Sequence, residues 1–160
     1  MQTLKTVGCF ALAGVCFVGC AIFRKPSEGA NLRIYEESSS SLPAETFQTV
    51  KIPHTDVKLT VSPFPALTER DVQSAELYDT AGGKAIFLRF DPNGTIILDE
   101  MTTRTRGRYI AVLIDKRPVS AWLVDQRILN GQFLIEGDFT DAEAKKVVDD
   151  LNALSKKNKQ

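Results

Sequence analysis

The chain has 160 residues, 43% hydrophobic and 25% charged, with 20 basic and 20 acidic side chains. That length holds one domain, and the balanced charge leaves no electrostatic footprint for nucleic acid, which is therefore not an expected partner. Cys9, Cys16 and Cys20 all lie in the first stretch, so the remainder can build no disulfide framework, cysteine metal site or cysteine nucleophile.

The chain opens with "MQTLK", a small positive start, followed by the uninterrupted apolar and small run "TVGCFALAGVCFVG". The run is short for a membrane-spanning helix and has the length of a signal-peptide core. It ends in "FVGC", which resembles the lipobox of bacterial lipoprotein signals, with Gly19 before Cys20 and Phe17 where that family usually has leucine. The resemblance implies a signal over residues 1–19 and lipidation at Cys20, with the membrane as a partner through the acyl chains; the alternatives are an ordinary secretory signal cut elsewhere and an uncleaved anchor. The same resemblance implies that Ala21, standing where an aspartate often signals inner-membrane retention, favours the outer membrane in a Gram-negative host. Residues 20–31, with Pro26 and Gly29 among polar neighbours, read as a tether.

Strands come next, in a β segment over residues 32–66. "LRIYEE" puts Leu32 and Ile34 on one face; "FQTVKIP" and "VKLTVSP" follow, with Val57, Leu59 and Val61 in strict alternation. The serine-rich stretch from Ser38 to Glu45 reads as a polar loop, and Pro63 and Pro65 end the segment. In "LTERDVQSAELYD", Thr68 with Asp71 predicts one helical turn running into a strand. "TAGGK" is a turn in which Gly82 and Gly83 can take positive φ, and "AIFLRF" a strand with Ile86, Leu88 and Phe90 on one face. "DPNGTIILDEMTTRTRG" predicts a helix capped by Asp91, with Pro92 at its first position and Gly107 as its stop. "YIAVLID" is apolar on both faces, as a central strand is; Asp115 and Lys116 turn it into "VSAWLV", and "QFLIEG" follows. The last helix starts at a capping box, Thr140 with Glu143, and carries the stripe Ala144, Val147, Val148, Leu151 and Leu154. Residues 155–160 read as a basic, frayed tail.

From residue 67 to 154 these pieces resemble the head subdomain of the first periplasmic region of SecD and SecDF, the Sec-associated export subunit. Leu67, Thr68, Asp71, Val72 and Ala75 match its start, and Gly94, Thr102 and Gly107 its first helix. Ala111 to Asp115 and Val119 to Ala121 match a strand pair. Ile128, Gly131, Ile135, Gly137, Phe139, Thr140, Glu143, Ala144 and Leu151 match the last strand and helix. Lys116 stands where the family usually has glycine and Trp122 where it has proline. The resemblance implies an α+β fold, a mixed or antiparallel sheet with two main helices on one face, in a compartment outside the cytoplasm. It also implies that unfolded polypeptide, or an envelope protein, is a possible partner. It does not carry over proton-driven translocation, because no run after Cys20 approaches the length of a membrane span.

Few residues offer chemistry. His54 is the sole histidine, in the turn "PHTD", and lacks the partners that catalysis or a metal requires. "DPNG" lacks the carboxylates of a calcium loop, "AGGK" lacks Walker spacing, and Ser120 has no evident base. No cofactor, metal or catalytic residue is expected. Arg104, Arg106 and Arg108 could grip an anionic group, although a helix C-terminus favours such charges anyway. Trp122 is either a core filler or an exposed anchor. The leading expectation is a lipid-anchored, non-enzymatic binding module facing the periplasm. The alternative is an accessory part of Sec-dependent export that touches unfolded chains, and a hydrolytic enzyme is the least favoured. A peptide binder should show an exposed apolar groove.

Overall fold

The computed structural model describes residues 29–38, 47–53 and 57–158. The expected signal segment, Cys20, most of the expected tether, the serine-rich stretch beyond Ser38 and His54 lie outside them. In chain order the elements are β1 (Leu32–Glu36), β2 (Gln48–Lys51), β3 (Lys58–Val61), β4 (Leu67–Thr68) and a 3-10 turn, Glu69–Asp71. There follow β5 (Val72–Thr80), β6 (Gly83–Phe90), α1 (Pro92–Arg104), β7 (Tyr109–Ile114), β8 (Arg117–Leu123), β9 (Gln132–Glu136) and α2 (Asp141–Asn158). The strands form three antiparallel sheets, β4-β1-β7-β8, β2-β3 and β5-β6-β9, so the α+β class holds, with both helices feeding one core.

The apolar spacing explains the layers. Leu32, Ile34, Ile110, Val112 and Ile114 point to the main core, where they meet Ile86, Leu88 and Ile135 of the three-stranded sheet. Leu98 and Met101 of α1 and Ala144, Val147, Val148 and Leu151 of α2 fill the same core. The opposite face of β7 is covered too: Ala111 and Leu113 pack with Val50, Leu59 and Val61 of the β2–β3 hairpin. A strand buried on both sides needs apolar residues at every position, which is why "YIAVLI" shows no alternation. Val57 stays exposed, so the alternation expected of this strand is buried only at Leu59 and Val61.

The helix signals act locally. Thr68 and Asp71 form the reciprocal capping box of the 3-10 turn before β5. Asp91 caps α1 by accepting the Gly94 N–H at 2.7 Å, with Pro92 at the first position. The helix stops at Thr105, before Gly107, which takes φ +77° beyond the end. Thr140 and Glu143 cap α2 reciprocally.

Three expectations are corrected. The tether does not run to residue 31: Ala30 is buried in the main core, and the Asn31 N–H donates to Asp115 Oδ1 at 2.9 Å. Nor does the tail begin at Ser155, because α2 continues to Asn158 and the buried Ser155 hydroxyl donates to the Gln73 carbonyl at 2.7 Å. In the β5–β6 turn only Gly83 takes positive φ, at +118°.

Candidate functional site

Among the described residues, those singled out for chemistry are mostly taken up by the fold. Trp122 pairs with Ile110 across β7–β8, so it faces the main core, where its ring meets Phe133 edge-on at 5.8 Å. Partly buried, it packs as a core filler does. Arg104, in the last turn of α1, grips Glu36 with its Nε 2.9 Å from Oε2. That pairing raises its pKa further above an already basic value. Arg108 donates to the Glu37 and Arg104 carbonyls at 3.1 and 2.8 Å. Both arginines therefore brace the end of α1 against β1. Arg106 is exposed.

A surface that the motifs did not predict lies on the outer face of the three-stranded sheet. In β6, Ile86, Leu88 and Phe90 face the core, so Phe87 faces the other way. Register sets Leu134 beside Phe87. Tyr78, one strand over, contacts Phe87 with ring centroids 5.3 Å apart. The Arg89 guanidinium lies 5.4 Å from the Phe87 centroid. Tyr78 is 47% exposed, Leu134 40% and Leu129 63%, values far from those of core side chains. Phe87, Leu134 and Gln132 form one wall of a groove of about 480 Å³, and Arg127, Ile128 and Leu129 of the β8–β9 loop form the other.

That loop is held along one stripe of α1. Thr95, Asp99 and Thr102 stand at the i, i+4, i+7 spacing of a single helix face. Gly131, at φ +66°, sits so close to Thr95 that any side chain there would collide with its hydroxyl. Asp99 takes the Arg127 guanidinium in a two-pronged pair, with Nη2 to Oδ2 at 2.7 Å. The arginine's hydrogen bonds hold the Asp99 carboxyl below its usual pKa. Thr102 Oγ1 accepts the Ile128 N–H at 3.0 Å and donates to the Leu98 carbonyl at 2.8 Å. The groove's loop wall is thus preformed.

The SecDF P1 head subdomain family matches residues 44–154. The chain belongs to that family. The match starts before the motifs at residue 67 and takes in the β2–β3 hairpin. The chain is 32% identical over 84 residues to protein translocase subunit SecDF of Thermus thermophilus, a stretch covering 52% of this chain and 11% of that protein. It is 34% identical over 70 residues to protein translocase subunit SecD of Calditerrivibrio nitroreducens, covering 44% of this chain and 14% of that one. It therefore spans only a small part of the curated relatives' length.

Two solved structures share the fold. One is described as a membrane component SecDF that enhances protein export: TM-score 0.62, 22% identity, covering 79% of this chain and 63% of that one. The other is SecDF in a super-membrane-facing form, at TM-score 0.62 and 23% identity, covering 78% of this chain and 19% of that one. Several SecDF-head motif residues have visible tasks here. Gly94 lets α1 approach Asp71 and Phe90, where a Cβ would come within 3.0–3.1 Å of both. Thr102, Ile128 and Gly131 fix the groove loop.

The groove could have been found in the sequence from side-chain parity. "AIFLRF" and "QFLIEG" each carry a large apolar residue, Phe87 and Leu134, on the face opposite their core residues. Among the described residues no helix is long and apolar enough to cross a membrane, and no group of three or more His, Cys, Asp or Glu side chains is placed to hold a metal.

Proposed function

We propose that this chain is a non-enzymatic accessory of Sec-dependent protein export, lipid-anchored through Cys20, which holds extended, unfolded polypeptide in the groove beside Phe87. The observation that carries the reading is that groove: exposed apolar side chains on a rigid sheet, walled by a loop pinned to α1. Family membership and the export role named for one structural relative support it. A site for many sequences needs apolar area and few directional charges, and Arg127, the groove's cation, is already engaged by Asp99. Family membership supports a groove facing the periplasm, and the reading of residues 1–19 as a signal and of Ala21 as favouring the outer membrane agrees with it. Arg106, exposed beyond α1, remains a candidate contact for a docking protein of the envelope.

The test places a photoactivatable amino acid at Leu129 of the full chain in cells arrested while exporting a secretory protein. Adducts with the arrested chain are expected from Leu129 and not from Lys145 on the polar face of α2. Equal yields at the two positions would dismiss the groove as the contact. The anchor is tested separately: a metabolic fatty-acid label should mark the wild type and miss Cys20→Ala, and label retained by the variant would refute lipidation at Cys20.

A further inference from the structure

The groove adjoins an open sheet edge. In an antiparallel ladder, pairs that exchange both backbone hydrogen bonds alternate with pairs whose amides and carbonyls point outward. The Phe90 N–H donates to the Gly131 carbonyl at 2.8 Å, and the register continues as Leu88–Phe133 and Ile86–Ile135. Those are the bonded pairs, so Gln132, Leu134 and Glu136 aim their main-chain groups away from β6. Asn130 Oδ1 accepts the Gln132 N–H at 3.1 Å and so takes the main-chain donor at that end. At the other end the Val119 carbonyl lies 2.9 Å from where a Gly137 Cβ would be, so β8 closes in there. Between them, Leu134 and Glu136 have no backbone partner on the outer side among the described residues.

The opposite edge of the same sheet is treated differently. The Asn152 carboxamide of α2 accepts the Ala75 N–H and donates to the Ala75 carbonyl, both at 2.9 Å. Ser155 takes the Gln73 carbonyl at 2.7 Å. Side chains of α2 thus occupy the outward groups of β5 at Gln73 and Ala75, the half of the strand that lies under the helix, and leave those of Leu77 and Asp79 uncovered among the described residues. The β9 edge is the one that borders the apolar groove, and free main-chain groups beside exposed apolar side chains point to strand addition there.

We propose that a segment of unfolded polypeptide binds as an added strand on β9, bonding main chain to main chain at Leu134 and Glu136 and setting alternate apolar side chains into the groove. This deepens the preceding reading and rests on it. The chemistry selects the occupant. A row of main-chain donors and acceptors is matched by any extended backbone, whatever its side chains. With the Gln132 N–H taken, the row is short, so binding is weak and reversible.

The probe is a fluorescein-labelled peptide of alternating valine and threonine with a lysine at each end, titrated into the full chain and followed by anisotropy. Two further peptides carry N-methyl groups on one or the other alternating set of amides, so side chains are kept while one hydrogen-bonding edge is removed. Strand addition predicts that one set weakens binding by about tenfold or more while the other changes it little. If the parent binds and both sets behave alike, strand addition is wrong and the groove reading survives. No binding of the parent peptide defeats both. Concentration-dependent self-association that the peptide reverses would assign the edge to a second copy of this chain and overturn the polypeptide as its occupant.

Discussion

At the scale of single residues, two departures from the family pattern have physical consequences. Lys116 stands in the two-residue turn between β7 and β8, where Asp115 has φ +51° and Lys116 φ +67°. Both values belong to the left-handed region, the signature of a type I′ hairpin, and there a Cβ costs about 1–2 kcal/mol. Lys116→Gly should therefore raise unfolding stability by about 1 kcal/mol in urea, the gain being trimmed by glycine's freer unfolded state. A loss of stability instead would mean that the lysine side chain contributes more than its backbone strain costs. Trp122 is the second departure. Facing the core against Phe133, it should fluoresce blue and shielded, and adding unfolded polypeptide should leave the emission unchanged. Trp122→Ala should destabilise the fold by about 3 kcal/mol, the lower end for a core tryptophan, because the ring is only partly buried. A red emission that shifts on adding polypeptide would return Trp122 to the binding surface.

At the scale of elements, the sequence showed most clearly what local chemistry dictates. The caps at Thr68, Asp91 and Thr140 work through side chains reaching a few residues along the chain, so their signatures survive in one dimension. The burial of Leu32 and Ile34 on one face of β1, and of Ile86, Leu88 and Phe90 in β6, follows from alternation alone. What stayed hidden depends on partners far along the chain. The division of the strands into three sheets is invisible to periodicity, and so is the pinning of the 125–131 loop to Thr95, Asp99 and Thr102. Asn152 is the sharpest instance. In the sequence it is a polar residue in a helical pattern; in the fold it takes a strand's place beside Ala75, 77 positions away. Asn152→Ala should leave the Ala75 N–H and carbonyl without their partner and cost about 1–3 kcal/mol. It should also free that edge for pairing with other chains, so light scattering on heating should rise earlier than the stability loss alone explains. A variant as stable and as soluble as the wild type would show that water replaces the carboxamide at no cost.

At the scale of the whole molecule, stability has to come from packing. The cysteines are confined to the first 20 residues, so no disulfide can join the sheets. In their place stand two apolar clusters that share β7: the helices and the three-stranded sheet on one side of it, the β2–β3 hairpin on the other. A central strand covered on both faces couples the two clusters, because loosening either one exposes apolar side chains of the same strand to water. The groove needs that rigidity, since its strand wall is the back of the main core and its loop wall hangs on α1. The full chain should therefore melt in one transition whose midpoint is unchanged by a chelator or by a thiol reductant, followed by circular dichroism. Tyrosine and tryptophan probes should report the same midpoint, because Tyr35 and Tyr109 pack on the hairpin cluster and Trp122 on the main core. Two separated midpoints would mean that the hairpin opens independently of the core. A large fall in the midpoint with chelator alone would reveal a metal bound by carboxylates, and the account of packing as the source of stability would have to give way.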